Sequence, residues 1–232
     1  MGPIKFAKKQ LAELIESQLL MQNSAPGILL KEAFQKSADY ARENMPESMM
    51  FFNHTDIWDF TISKIQERSV EGANLEFGVY TGTSINYFSS RLKNDVFYGF
   101  DSFEGLKEDW KGWALQKGYF NLNGQLPKVN GNVKLIKGWF DQSLPKFIEE
   151  NNDFRRINYL HIDCDTFEAT ETVFNLLGKF IDKGTLILFD EYFGYRGWEF
   201  GEYKAFQQFV NFAGIKYRYI AFTGRQVLLE IL

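Results

Sequence analysis

The sequence predicts an α/β fold: a Rossmann-like sheet of five parallel strands closed by a C-terminal antiparallel hairpin, preceded by an N-terminal helical extension. Three observations carry this. From Asn74 onward, short β-branched and aromatic runs alternate with helix-length stretches, the pattern of a mostly parallel sheet covered by helices. The first of these runs leads through Glu76-Phe77-Gly78-Val79-Tyr80-Thr81-Gly82-Thr83-Ser84, a strand turning tightly into a helix. The last two runs, 216–222 and 225–231, are joined by Thr223-Gly224, a connection short enough to require an antiparallel pair.

Residues 1–70 form the extension, a lid of helices, and residues 71–232 the main domain. Leu11, Leu14, Ile15 and Leu19 fall on one face of a first helix, which Asn23-Ser24-Ala25-Pro26-Gly27 breaks. A second helix runs from Ile28 toward Asn44 and stops before Pro46. A third covers Asp56 to Arg68, with Ile57, Phe60, Ile62 and Ile65 apolar. Strands follow at 73–77, 95–100, 132–137, 157–162 and 184–189. The connection from Glu104 to Gly131 is long, Gly-rich and aromatic, carrying Trp110, Trp113, Tyr119 and Phe120. It reads equally as a binding loop or as an extra helix packed by its tryptophans.

Composition narrows the function. A net charge of −4 with scattered Lys and Arg argues against a nucleic-acid partner. The single cysteine, Cys164, excludes an internal disulfide and fits a reducing compartment. No signal peptide is evident and no apolar run nears the ~18 residues of a membrane span, so a soluble cytoplasmic protein is expected. The 24 phenylalanines imply a well-filled core, with rings to spare for a pocket wall.

Two regions concentrate chemistry. Glu76 ends a strand at a glycine turn, where helix N–H groups and close backbone approach suit a bound ligand. Asp101 closes the next strand, placed to accept both hydroxyls of a ribose or, alternatively, to cap a following helix. Farther on, Tyr159-Leu160-His161-Ile162-Asp163-Cys164-Asp165 and Gly184-Thr185-Leu186-Ile187-Leu188-Phe189-Asp190-Glu191 flank one helix, a β-α-β unit. Its right-handed crossover brings Asp163, Asp165, Asp190 and Glu191 to the same sheet edge, where ligands collect. Four carboxylates there repel unless neutralised, and hard oxygen ligands without a Cys/His cluster suit Mg²⁺, Mn²⁺ or Ca²⁺. The expected ligands are Asp163, Asp190 and Glu191, leaving Asp165 as general base, although Asp165 is also the acid best placed to cap the next helix. His161 is expected to be a satisfied core residue and Cys164 a buried thiol; His54 has no assigned role. Asp163-Cys164-Asp165-Thr166 also matches the D-x-D-x-T signature of haloacid-dehalogenase-type phosphatases, but too little chain follows it to complete that fold.

The ordered set Glu76-Phe77-Gly78-Val79-Tyr80-Thr81-Gly82, Phe100-Asp101-Ser102-Phe103-Glu104-Gly105-Leu106, Gly138-Trp139-Phe140, Ser143-Leu144-Pro145, His161-Ile162-Asp163-Cys164-Asp165, Asp190-Glu191-Tyr192 and Gly201-Glu202-Tyr203-Lys204-Ala205-Phe206 resembles the macrocin O-methyltransferase family. The likeness spans about residues 74 to 231 and implies a class I methyltransferase sheet using S-adenosylmethionine and Mg²⁺ (or Mn²⁺) to methylate sugar hydroxyls in natural-product biosynthesis. It implies cofactor contacts from Glu76, Gly78, Tyr80, Gly82 and Ser84, from Asp101 and Ser102 at the ribose, and from Gly138, Trp139 and Phe140 at the adenine. Asp163 would border cofactor and metal alike. The family's usual acidic pair is Asp-Asp, so Glu191 departs from it. A small-molecule acceptor is the expected partner, without nucleic acid or membrane; the sequence allows a homo-oligomer without specifying one. Two rivals follow from the same residues: a catalytically inactive protein that keeps the S-adenosylmethionine pocket, and a metal-independent methyltransferase.

Overall fold

The computed structural model describes residues 18, 20–68, 70–151 and 154–232. The first expected helix, on Leu11, Leu14, Ile15 and Leu19, lies outside them except for Gln18 and Leu20. Helix α1 (Ala25–Asn44) begins at the anticipated break, where the Ser24 side chain accepts a hydrogen bond from the Gly27 N–H and Pro26 occupies the first turn. Strand β1 (Met49–Met50) and helix α2 (His54–Gln66) follow. The main alternation comprises β2 (Ala73–Phe77), α3 (Thr83–Arg91), β3 (Phe97–Asp101), β4 (Val133–Lys137), α4 (Phe140–Glu150), β5 (Ile157–Ile162), α5 (Phe167–Leu177) and β6 (Leu186–Phe189). Helix α6 (Glu202–Ala213) and strands β7 (Tyr217–Phe222) and β8 (Val227–Ile231) complete it.

The eight strands among the described residues form one sheet in the order β1-β7-β8-β6-β5-β2-β3-β4. The C-terminal pair is antiparallel as expected, but β8 alone runs against the rest: it inserts between β6 and β7, and β7 returns to the common direction. The two-residue β1 then pairs parallel to β7 at the edge, and it is too short to have left a periodic signal. The central strands β5 and β6 are buried along their whole length, as expected of parallel strands covered on both sides.

Side chains alternate between two apolar layers. Leu186 and Leu188 join Ile57, Trp58, Ile85 and Phe88 beneath α2 and α3. Ile187 and Phe189 join Phe147, Phe174 and Phe206 beneath α4, α5 and α6, a layer that also holds Ala41 of α1 and Met45 just past its end. No helix forms in the 104–131 connection, so its reading as an extra helix falls. It is a chain of turns with one bridge between Glu104 and Asn121, anchored by the buried Trp110 packed edge-on against Tyr195. Among the described residues, no helix is long and apolar enough to cross a membrane.

Register is what positions the site. Phe77, Ile162 and Phe189 lie side by side, and each ladder runs one bond farther: the Asp163 N–H donates to Phe77 O and the Asp190 N–H to Ile162 O, both at 2.9 Å. The residues just past three neighbouring strand ends, Gly78, Asp163 and Asp190, therefore stand in one row.

Candidate active site

The turn after β2 is fixed by steric fit. Gly78 has φ 94°, and a Cβ there would lie 1.8 Å from the backbone oxygen of Asp163, so only glycine allows β2 and β5 to end side by side. Tyr80 also has positive φ, and its N–H donates to Asp101 Oδ2 at 2.7 Å. The other Asp101 oxygen accepts the Phe103 N–H at 2.7 Å. Asp101 thus ties two loops together and caps no helix, while each oxygen retains a lone pair for a ligand hydroxyl. Gly82 starts α3 in the left-handed conformation.

Glu76 differs from its expected place. It is 1% exposed, with Oε1 accepting from the Ser84 hydroxyl and Oε2 paired with His161 Nδ1, both at 2.9 Å. It lies behind the turn, bracing it, because neighbouring strand residues face opposite sides and Glu76 shares a face with its register partner His161.

The acids meet at the strand tips. Ligand atoms of His161, Asp163 and Asp190 lie within 4.8 Å of one another, and so do those of Asp163, Asp165 and Glu191. The expected trio of Asp163, Asp190 and Glu191 is thus divided over two groups that share Asp163. Burial first, and then neighbouring acids, push Asp163 and Glu191 well above the usual carboxylate range. The same causes raise Asp165 to about 8. Asp165 does not cap α5; the Thr166 hydroxyl does, accepting the Ala169 N–H. Glu191 Oε2 is buried without a hydrogen-bond partner, whereas Asp190 Oδ1 accepts from the Gln226 amide on the β7–β8 turn.

Sequence reasoning assigned no role to Glu202. Fully buried, it accepts the N–H groups of Cys164 at 3.0 Å and Asp165 at 3.2 Å on Oε1, and that of Glu191 at 3.2 Å on Oε2. Burial foremost, then Asp165, raises it to about 8. For His161, burial lowers the imidazole, but the hydrogen bond and charge of Glu76, with Asp190 and Glu202, outweigh this and the net shift is upward.

Two cavities share this acidic border. The larger, about 600 Å³, runs from Gly78 and Tyr80 past Asp101 and Ser102 to Trp139 and Phe140, with Trp110 and Phe120 of the long connection opposite. The second, about 510 Å³, is walled by Phe34, Phe52, His54 and Trp58 and reaches Ser84. Asp163, Asp190, Glu191, Tyr80 and Arg225 border both; Asp165 faces the larger alone. Gly82 and Gly138, expected at the cofactor, line neither.

A family model described as a methyltransferase domain matches residues 75–192, half of the chain and all of the strand tips above. The chain belongs to the methyltransferase domain family. With that family comes S-adenosylmethionine as the methyl donor, and the resemblance seen in the sequence holds at this level. No curated protein matches the sequence. Among solved structures, the methyltransferase fold recurs in CalS11, a calicheamicin methyltransferase, at TM-score 0.61 and 19% identity over 90% of this chain and 93% of that one. It recurs in the O-methyltransferase NovP at TM-score 0.58 and 16% identity, covering 75% and 78%. An apo structure of CalS11, described as a TDP-rhamnose 3′-O-methyltransferase, gives 0.55 and 18%, covering 90% and 95%.

Proposed function

We propose that this methyltransferase transfers the methyl group to a hydroxyl oxygen of a small molecule, a sugar or glycoside, with the help of a divalent cation. The observation that carries the reading is the row of acids from two adjacent strand ends on the border between two cavities. One cavity suits the donor: Gly78 allows close backbone approach, Asp101 offers acceptors to a ribose, and Trp139 and Phe140 offer faces to an adenine. The other suits an acceptor, whose apolar ring faces would rest on Phe34, Phe52 and Trp58. A sugar acceptor is supported by the fold shared with the TDP-rhamnose 3′-O-methyltransferase. The helices before Asn74 would then act as cover over the acceptor, and the 104–131 connection as cover over the donor.

The residues fit a cation. Burial and mutual repulsion hold Asp163, Asp165 and Glu191 toward their protonated forms, and Glu191 Oε2 has no protein donor. Asp163, Asp190 and Glu191 would hold the ion, with oxygen donors suited to Mg²⁺ or Mn²⁺. When bound, it supplies Lewis acidity toward the acceptor hydroxyl. Asp165 in its ionised form, which a neighbouring cation would favour over the protonated one, takes the proton from that hydroxyl as the oxygen receives the methyl group, and its raised pKa makes it a stronger base once ionised. Asp101 and Trp139 orient the donor, and the aromatic walls exclude water from it.

Labelled S-adenosylmethionine incubated with nucleotide sugars, glycosides and phenols, with and without EDTA, tests the proposal. Label should pass to a sugar hydroxyl and stop with chelator. Transfer that ignores EDTA would instead favour metal-free catalysis by Asp165. Asp163→Ala should lower transfer about 100- to 1,000-fold, the order seen on removing one preorganised electrostatic stabiliser of a transition state, while donor binding by calorimetry changes little.

A further inference from the structure

His161 was expected to be a satisfied core histidine, and the structure satisfies only half of it. Nδ1 lies 2.9 Å from Glu76 Oε2. Nε2, on the opposite side of the ring, is completely buried and has no hydrogen-bond partner. It faces Asp190 Oδ1 at 4.0 Å, too far for a hydrogen bond. Two donors bound to one ion at about 2.1 Å each stand roughly 3 to 4 Å apart, which this separation matches. An Asp163 oxygen completes the set, all three atoms within 4.8 Å of one another.

The arrangement on the far side of the ring points the same way. A metal-bound histidine typically donates its second ring N–H to a carboxylate, which fixes the tautomer and strengthens the free nitrogen as a ligand. Glu76 is placed to do this, itself held by the Ser84 hydroxyl. A core histidine needing only structural satisfaction would not leave a buried ring nitrogen directed at two acids.

We propose that His161 binds the divalent ion directly through Nε2, beside Asp163 and Asp190, and that the site consequently prefers Mn²⁺ to Mg²⁺. The inference rests on the metal-dependent reading above and deepens it. Imidazole nitrogen favours first-row transition ions, whereas Mg²⁺ prefers oxygen alone. Glu76 and Ser84, placed by sequence at the cofactor, become supports for this ligand.

Metal-free full-length protein titrated with MnCl₂ and followed by electron paramagnetic resonance provides the test. Bound Mn²⁺ should show the hyperfine coupling of one directly coordinated ¹⁴N in pulsed spectra, and displacement should need at least about ten times more Mg²⁺ than Mn²⁺. His161→Gln should erase the nitrogen coupling and weaken Mn²⁺ about 10- to 100-fold, and Glu76→Gln should weaken it while keeping the coupling. The wild-type spectrum decides the matter even if either variant fails to fold. Bound Mn²⁺ without ¹⁴N coupling overturns the role of His161 and leaves an oxygen-only metal site standing. No bound Mn²⁺ at millimolar concentration overturns this inference and the metal-dependent reading together.

Discussion

One carboxylate oxygen of Glu202 holds the backbone N–H of Glu191 at 3.2 Å while its other oxygen holds the tip of β5. The two acid-bearing turns are thus tied through one buried side chain at the start of α6. Replacing it by glutamine leaves one good acceptor and turns an amide N–H₂ toward backbone donors. Glu202→Gln should cost about 1–3 kcal/mol of stability, the penalty of a buried donor left unpaired, read by urea unfolding. Methyl transfer should fall while donor affinity changes little, because Asp101 and Trp139 lie on other turns. Unchanged turnover in a destabilised variant would reduce Glu202 to a purely structural residue.

Protonation gives a second expectation. Asp165 and Glu202 are each raised to about 8, so between about pH 4 and 8 the folded protein holds protons that the unfolded chain has released. The sign follows by linkage: their contribution to stability is fully present below the ordinary carboxylate range and is lost as pH rises through about 8. Asp163 and Glu191 are raised by the same burial and neighbouring acids, so a cation they hold competes with protons and should bind more tightly at higher pH. The rise in melting temperature on adding Mn²⁺ or Mg²⁺ should therefore grow from pH 6 to pH 8. A pH-independent shift would count against ion binding among these acids.

Gly78 admits no side chain. With φ 94° and the Asp163 carbonyl 1.8 Å from a would-be Cβ, Gly78→Ala should destabilise by on the order of 2–4 kcal/mol through backbone strain and separation of two strand ends. Calorimetric unfolding would measure this, and S-adenosylmethionine affinity should fall with it.

Asp101 braces the Tyr80 and Phe103 N–H groups, and in the proposed function its remaining lone pairs receive the ribose of the donor. Asp101→Asn keeps one acceptor oxygen and substitutes a donor for the other. Donor affinity by isothermal titration should drop roughly 10- to 100-fold, the worth of one or two charge-assisted hydrogen bonds. An unchanged dissociation constant would remove Asp101 from the ribose site.

What the sequence revealed was mostly local. The glycine turn after β2, the acid closing β3 and the acids after β5 and β6 each sit within a few residues of a recognisable strand, so parallel topology alone carried them to one edge. Contacts between distant segments were hidden. Glu202 reaches Cys164 and Glu191 only because α6 packs back over the sheet, and Gln226 reaches Asp190 only because β8 sits beside β6. The inward turn of Glu76 did leave a trace: an acid and a histidine on adjacent buried strands must face either apolar layer or each other. The hairpin was legible as a pair, but its neighbour in the sheet was not, since either strand could have met β6.

Because β8 alone runs counter to the sheet, it meets the ligand edge at its beginning, and the turn leading into it delivers Arg225 and Gln226 to the acids. β2 and β5 leave that edge through the crossover helices α3 and α5, whose length and packing constrain any insertion. This turn carries no helix and is held instead by the Tyr192 N–H on Arg225 O and by Gln226 on Asp190. Added or deleted residues there would shift a guanidinium across the mouths of both chambers while leaving the scaffold intact, which makes it the natural place for acceptor preference to drift between related enzymes.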